Sequence, residues 1–441
     1  MKVLKFGGTS VGSAQRMKAV ADIILDGQKK IVVLSAMSGT TNTLIEISNY
    51  LYKHNPDAAN ETINKLAQKY QAIAEELFSS EEYRQKTHEM LQSHFDYLRG
   101  FTKTLFTLFE EKGVVSQGEL LSTTMFTNYL NERGANAILL PAFEFMKLNK
   151  NGEPDTDYIR ENLNKQIAKY PEADLYITQG FICLNAYGEV DNLERGGSDY
   201  SASLIGAAIK AEEIQIWTDI DGMHNNDPRF VDKTSPVSHL HFEEAAELAY
   251  FGAKILHPTC ILPAKLSNIP VRLLNSMEPE AFGTIISNQT EKGKIKAVAA
   301  KDGITAIKIQ SGRMLLAYGF LRKVFEIFES YQTPIDMICT SEVSVSLSID
   351  KNKHLHEIID ELKKFGTVSV DTDMVIICVV GDLEWENIGF ESRVLQALKD
   401  IPVRMISYGG SNHNISILVK ATDKKRALQL LSDQLFNQLI N

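Results

Sequence analysis

Cysteine and tryptophan are scarce in this 441-residue chain, at four and two residues. Cys183, Cys260, Cys339 and Cys378 stand far apart and form no C-x-x-C pair. That excludes a zinc ribbon or a disulfide framework and fits reduced core thiols. No apolar run approaches the ~18 residues that a membrane-spanning helix needs. Basic residues are outnumbered, 46 against 56 acidic ones, for a net charge of −10. This argues against a nucleic-acid or anionic-membrane partner and leaves room only for a local basic pocket. Met1-Lys2 leads straight into a strand, leaving no space for a signal peptide, so a cytoplasmic location is expected.

Several phosphate and metal signatures are missing too. Gly7 to Gly12 spells G-x-x-x-x-G, but Ser13 stands where a Walker A loop needs lysine. No G-x-G-x-x-G follows the first strand, which removes the usual dinucleotide fingerprint. The H-R-D, D-F-G and A-P-E set of protein kinases is absent. Counted as a calcium loop from Asp219, the sixth position is His224 and the twelfth Phe230, so an EF-hand fails. The pairs His239/His241 and His354/His356 could each face one side of a strand, yet neither has a third ligand nearby or an H-E-x-x-H. They are read as surface or packing residues, and no protein metal site is expected.

What is present is alternation. Val3–Phe6 reads as a buried strand, Gly7-Gly8 as a sharp turn, and Met17, Val20, Ala21 and Ile24 as one face of a helix ending near Gly27. Ile31–Leu34 completes a βαβ unit and runs into the small-residue loop Ser35–Asn42. Residues from about Leu44 to Phe109 lack β-type runs and read as a helical insertion, after which Ser116-Gln117-Gly118-Glu119 leads into a further helix. Strands follow at Ala137–Leu140, Leu175–Thr178, Ile214–Thr218 and Val271–Leu274. Such alternation predicts one large α/β domain with a mainly parallel sheet over residues 1–293. Beyond it, strands at Ile304–Ile309, Val343–Ile349, Val368–Val370, Met374–Val380 and Ile415–Val419 interleave with helices. This is a duplicated βαββαβ module, divided at 304–373 and 374–441, and the strand at 295–309 can belong to the second.

Four stretches can carry chemistry. Lys5 stands near the carboxyl end of a strand beside a glycine loop, where a phosphate suits backbone N–H groups and an ammonium; an ordinary strand–turn–helix corner remains the alternative. Glu194-Arg195-Gly196-Gly197-Ser198-Asp199 precedes a helix near Tyr200–Ile209, with Ser198 as a natural N-cap, and is either an anion site or merely a capped helix. Trp217-Thr218-Asp219-Ile220-Asp221-Gly222, followed by His224 and Arg229, is a nucleotide loop or a solvated turn. In Phe251-Gly252-Ala253-Lys254, Gly252 ends or bends a helix starting near Phe242, while Lys254 either serves the site or snorkels to solvent.

Taken together, K-F-G-G-T-S at 5–10, S-A-M-S-G-T-T-N at 35–42, S-Q-G-E at 116–119, T-Q-G-F at 178–181, E-R-G-G-S-D-Y at 194–200, W-T-D-I-D-G at 217–222, F-G-A-K-I-L-H-P at 251–258 and T-S-E-V-S at 340–344 resemble the aspartokinase family. The motifs occur in order over essentially the whole chain. The resemblance implies an amino-acid-kinase fold followed by two α+β ACT modules, and transfer of the ATP γ-phosphoryl group to the β-carboxylate of L-aspartate with Mg²⁺. It places Lys5, Arg195, Asp199 and Lys254 in catalysis. Ser35, Thr41, Glu119, Phe181, Arg195 and Asp199 fall on the aspartate side; Lys5, Gly7, Gly8, Ser198, Thr218, Asp219, His224, Arg229 and Lys254 fall on the nucleotide side. Met314, Ala317, Phe320, Leu321, Asp336, Ser341 and Glu342 match an effector region in the first ACT module. Lysine is the first choice of effector and threonine the second.

Three positions depart from lysine-sensitive members: Glu194 for a small residue, His224 for a tyrosine, and Ala317 for a serine. A kinase for another acceptor such as glutamate, or a silent amino-acid sensor, are the rival readings. The ACT pair weighs against the first, and retention of Lys5, Arg195, Asp199 and Lys254 weighs against the second. A homodimer or a dimer of dimers is expected from how such modules pair. The chain stops at Asn441, so no fused homoserine dehydrogenase is expected.

Overall fold

A computed structural model of the chain describes residues 1–193, 196–252, 256–312 and 318–436. It comprises two compact units, Met1–Gly222 with Leu256–Asn288, and Met223–Ile255 with Gln289–Asn441.

The first unit opens with β1 (Lys2–Phe6), α1 (Ala14–Ile24) and β2 (Lys30–Leu34). Both strands are buried on both faces, so both read as largely apolar, with Lys5 the one interruption inside β1. Helices α2 (Thr40–Tyr52), α3 (Pro56–Leu77) and α4 (Glu81–Gly100) form the insertion. Tyr70 and Phe95 pack edge to face within it, ring centroids 6.0 Å apart. Then comes α5 (Leu108–Glu132), entered through a capping box of Thr107 and Glu110. Ser116–Glu119 therefore lies inside this helix, not ahead of it. The expected start is too late because α5 is buried almost all round and shows no amphipathic stripe.

The unit continues with β3 (Ala137–Leu140), α6 (Thr156–Ala168), β4 (Leu175–Gln179), the hairpin β5 (Ile182–Leu184) and β6 (Val190–Asn192), α7 (Gly197–Ile209) and β7 (Ile214–Thr218). The chain then enters the second unit for β8 (His239–His241) and α8 (Phe242–Tyr250). It returns to the first for α9 (Leu262–Leu266), β9 (Val271–Asn275) and β10 (Thr284–Ser287). The first unit's strands lie in the order β3-β4-β2-β1-β7-β9-β10, parallel except for β10. β1 is interior, with Lys5 opposite Val33 on one side and Ile216 on the other.

In the second unit, β11 (Ile295–Gln310), α10 (Phe320–Ser330), β12 (Met337–Thr340), β13 (Ser344–Ile349), α11 (Leu355–Lys363), β14 (Thr367–Gly381), α12 (Phe390–Ala397), β15 (Met405–Ser407), β16 (Asn414–Lys420) and α13 (Lys424–Leu435) follow. They build a six-stranded sheet, β12-β13-β11-β14-β16-β15. β11 and β14 are long antiparallel partners that serve both repeats: Ile307 faces Val370 at one end and Ala299 faces Cys378 at the other. The separate strands expected at 368–370 and 374–380 are thus one strand, and the one expected at 304–309 begins at Ile295. Each repeat keeps its own apolar core, one around Phe328 and Leu347 and the other around Val394 and Leu431. His354 precedes α11 and His356 lies on it, so that pair is not on a strand. Among the described residues no helix is long and apolar enough to cross a membrane.

Candidate active site

Strand order alone brings the loops after β1, β2, β4 and β7 to one edge of the parallel sheet, where open α/β sheets bind ligands. The β1 and β2 loops are laced together: the Ser38 N–H donates to the Gly8 carbonyl at 3.0 Å and the Ser35 N–H to the Phe6 carbonyl at 3.2 Å. At the end of β1, Lys5 Nζ lies 2.7 Å from Asp199 Oδ1. Asp199 stands in the first turn of α7, where the helix dipole favours an anion. That helix begins on Gly196, which caps it at φ 72°, so Ser198 sits inside the first turn and is not the N-cap. The two-glycine entry wins over the serine because the chain reverses there in a left-handed conformation. Ser198 instead accepts a hydrogen bond from Ser35 Oγ at 2.9 Å.

Glu119 reaches this edge from mid-α5. Its Oε1 accepts from the Ala36 N–H at 3.1 Å, while Oε2 is buried without a partner. Burial pushes the carboxyl up to about 7. The helix can come this close because residue 118 is glycine; a Cβ there would stand 2.7 Å from Ala36 Cβ. Phe181 closes another side in a left-handed backbone conformation, φ 67°, with its N–H bonded to Ser201 Oγ at 2.9 Å. Gly8, Ser35, Thr41, Glu119, Phe181 and Ser198 together line a cavity of about 330 Å³.

Thr218 ends β7 beside β1, and Asp219 after it is exposed. Sequence reasoning misses the serines that hold these loops. Ser276, just past β9, donates from Oγ to the Thr218 carbonyl at 2.9 Å, and its Oγ lies 2.8 Å from Ser10 Oγ. Its place at a parallel strand's carboxyl end was the available signal; Ser201, buried mid-helix, offered none. Cys260 is buried and its thiol is pushed up to about 12, as expected of a core cysteine.

Further expected residues belong to the second unit or fall outside the described residues. His224 and Arg229 belong to the second unit, His224 2.8 Å from Thr234 Oγ1 and Arg229 paired with Asp227 at 2.7 Å. Phe320 is buried in the first repeat, Leu321 is exposed at 39%, Glu342 is exposed, and Ser341 Oγ lies 2.8 Å from Ser344 Oγ. Asp336 is held by Lys301 and Tyr250. Glu194, Arg195, Lys254, Met314 and Ala317 lie outside the described residues.

Residues 1–275 match the amino acid kinase family and residues 377–435 an ACT domain. Fold and site thus define an amino acid kinase with a carboxyl-terminal ACT region. The chain is 34% identical to lysine-sensitive aspartokinase 3 of Escherichia coli, over 98% of its own length and 99% of the relative's. It superposes with a TM-score of 0.81, at 34% identity, on E. coli aspartokinase III in complex with aspartate and ADP, covering 99% of this chain and 100% of that one. The lysine and aspartate complex of the same enzyme gives 0.81 at 35% identity, covering 99% of each. The chain belongs to the aspartokinase family.

Proposed function

We propose that this chain transfers the γ-phosphoryl group of ATP to the β-carboxylate of L-aspartate, giving 4-phospho-L-aspartate. The observation that carries it is the cavity of about 330 Å³ in which Ser35, Thr41, Glu119 and Phe181 meet Gly8 and Ser198, next in sequence to Gly7 and Asp199. A carboxylate nucleophile with a usual pKa of about 3.9 is already ionised at neutral pH and needs no general base. The obstacle is bringing an anion up to a polyanion, so catalysis consists of positioning and charge neutralisation. Lys5, prepositioned by Asp199, meets the migrating phosphoryl group, and Lys254 adds a second cation on the nucleotide side. Gly7 and Gly8 let the backbone approach the phosphates, and Thr218 and Asp219 border them; the nucleotide role of His224 and Arg229 rests on the family resemblance alone.

Acceptor selection follows from opposite charges. Arg195 offers a planar fork to the α-carboxylate, and the buried unpartnered oxygen of Glu119 offers an anion to the ammonium group. Among the described residues no three His, Cys, Asp or Glu side chains converge as a metal cage. Mg²⁺ carried by the phosphate oxygens of ATP would supply further charge neutralisation. Lysine is the proposed feedback effector, at Phe320, Leu321, Asp336, Ser341 and Glu342 with Met314 and Ala317. A homodimer or dimer of dimers is the proposed assembly. The E. coli relative, solved with lysine and aspartate, supports the effector choice.

ADP release measured with L-aspartate and L-glutamate in turn, then with lysine, threonine or methionine added, tests this reading. Release with aspartate and inhibition by lysine are expected; turnover of glutamate alone would overturn the acceptor.

A further inference from the structure

In the first unit the carboxyl ends of β1, β7 and β9 lie side by side, with Phe6 opposite Trp217 and Thr218 opposite Asn275. Beyond β1, Gly7 to Ser10 make a tight turn, closed by the Ser10 N–H on the Gly7 carbonyl at 3.0 Å. Beyond β9, Ser276 sits in a turn of its own, which the Asn275 side chain fixes by accepting from the Met277 N–H at 2.9 Å. Both serines are buried.

Counting protons gives their contact a direction. The Thr218 carbonyl, last in β7, accepts from Ser276 twice, from its N–H at 2.8 Å and from its Oγ at 2.9 Å. A serine hydroxyl has one proton, and that of Ser276 is committed to Thr218. In the 2.8 Å contact between Ser10 Oγ and Ser276 Oγ, Ser10 is therefore the donor. The relay runs from the Ser10 hydroxyl to that of Ser276 and on to the Thr218 carbonyl. One side chain from β9 thus joins the turn after β1 to the end of β7. The Thr218 hydroxyl is engaged in the next turn, accepting from the Ile220 N–H at 3.2 Å. On its other flank the glycine turn is held by the Ser38 N–H, 3.0 Å from the Gly8 carbonyl. Towards β7 its backbone link, from the Gly7 N–H to the Trp217 carbonyl, is long at 3.4 Å.

We propose that Ser276 is a positioning residue for ATP: acting through Ser10 and Thr218, it holds the glycine turn in register with the Thr218–Asp219 end of β7. The inference rests on the nucleotide roles proposed above for Gly7, Gly8, Thr218 and Asp219.

The test titrates ATP with Mg²⁺ onto the full chain without acceptor, and measures both KM values, kcat and the Tm. Ser276→Ala keeps the N–H bond to Thr218 but leaves the buried Ser10 hydroxyl without its acceptor. ATP affinity should fall about three- to tenfold, the weight of one such hydrogen bond, with a much smaller change in the aspartate KM. Ser10→Ala deletes the donor at the other end and should weaken ATP to a similar degree, so it carries the test should Ser276→Ala fail to fold. Because both changes break one relay, the double variant should bind ATP about as well as the weaker single variant. A merely structural serine would lower the Tm and the active fraction while leaving ATP affinity as in the wild type. Unchanged ATP affinity in the folded single variants, equal losses for ATP and aspartate, or losses that multiply in the double variant would overturn the proposal. A wild type that binds ATP but releases no ADP with aspartate would sink the activity reading alone.

Discussion

Lys5 Nζ and Asp199 Oδ1 meet at 2.7 Å with their side chains only 11% and 17% exposed, one at the end of β1 and the other in the first turn of α7. A partly buried ion pair of this kind fixes a flexible ammonium in one place before any phosphate arrives. Each partner also covers the desolvation cost of the other.

Removing the ammonium should therefore cost catalysis far more than folding. Lys5→Ala is expected to lower kcat by at least about 10²-fold, the weight of one preorganised charge-stabilising group, with an unchanged circular dichroism spectrum. Near-normal kcat in that variant would contradict the role given to Lys5.

Glu119 links stability to pH with a definite sign. Its carboxyl is raised from 4.5 to about 7 by burial, so the folded state holds a proton that the unfolded state has released between those values. Stability of the unliganded protein accordingly falls as pH rises from about 4.5 to about 7 and then levels off. Glu119→Gln removes this slope and should stabilise the unliganded protein at pH 8 by up to roughly 3 kcal/mol, with little gain at pH 4.5. The same variant should raise the aspartate KM, because an amide offers the substrate ammonium no charge. Thermal melts at the two pH values check the first part; a lower Tm than wild type at pH 8 would contradict it.

The approach of α5 to the β2 loop makes a paired prediction. Gly118→Ala puts a Cβ 2.7 Å from Ala36 Cβ, and neither atom can swing away. Overpacking of this kind costs about 1–3 kcal/mol, and it should separate Glu119 from the Ala36 N–H. Adding Ala36→Gly should restore most of the lost Tm and of the aspartate KM. A single variant with wild-type Tm and KM would contradict the close packing.

Much of this was legible in the residues and some was not, for physical reasons. β1 and β2 are largely apolar because both their faces are buried, Lys5 aside, and the expected spans fall within a residue or so of the observed ones. α5 escaped correct placement because a helix buried on nearly every side has no polar face to set its period. In β11 and β14, Lys301-Asp302-Gly303 and Asp371-Thr372-Asp373 interrupt the apolar pattern in mid-strand, so each looks like two elements. At the site, motif residues Gly8, Ser35, Thr41, Glu119, Phe181 and Ser198 do line one cavity. The Gly196 cap, the Ser35–Ser198 bond and the Ser10–Ser276 contact depend on tertiary approach and leave no local pattern.

The most direct test of the central claim is the chemical nature of the product. A phosphoryl group on a carboxylate is an acyl phosphate, which hydroxylamine converts to a hydroxamate, whereas a phosphate ester or phosphoramidate gives none. With ATP, Mg²⁺ and L-aspartate, the wild-type chain should form aspartyl hydroxamate in step with ADP, and Lys5→Ala should form almost none. ADP release without hydroxamate, or hydroxamate from L-glutamate but not L-aspartate, would contradict the account.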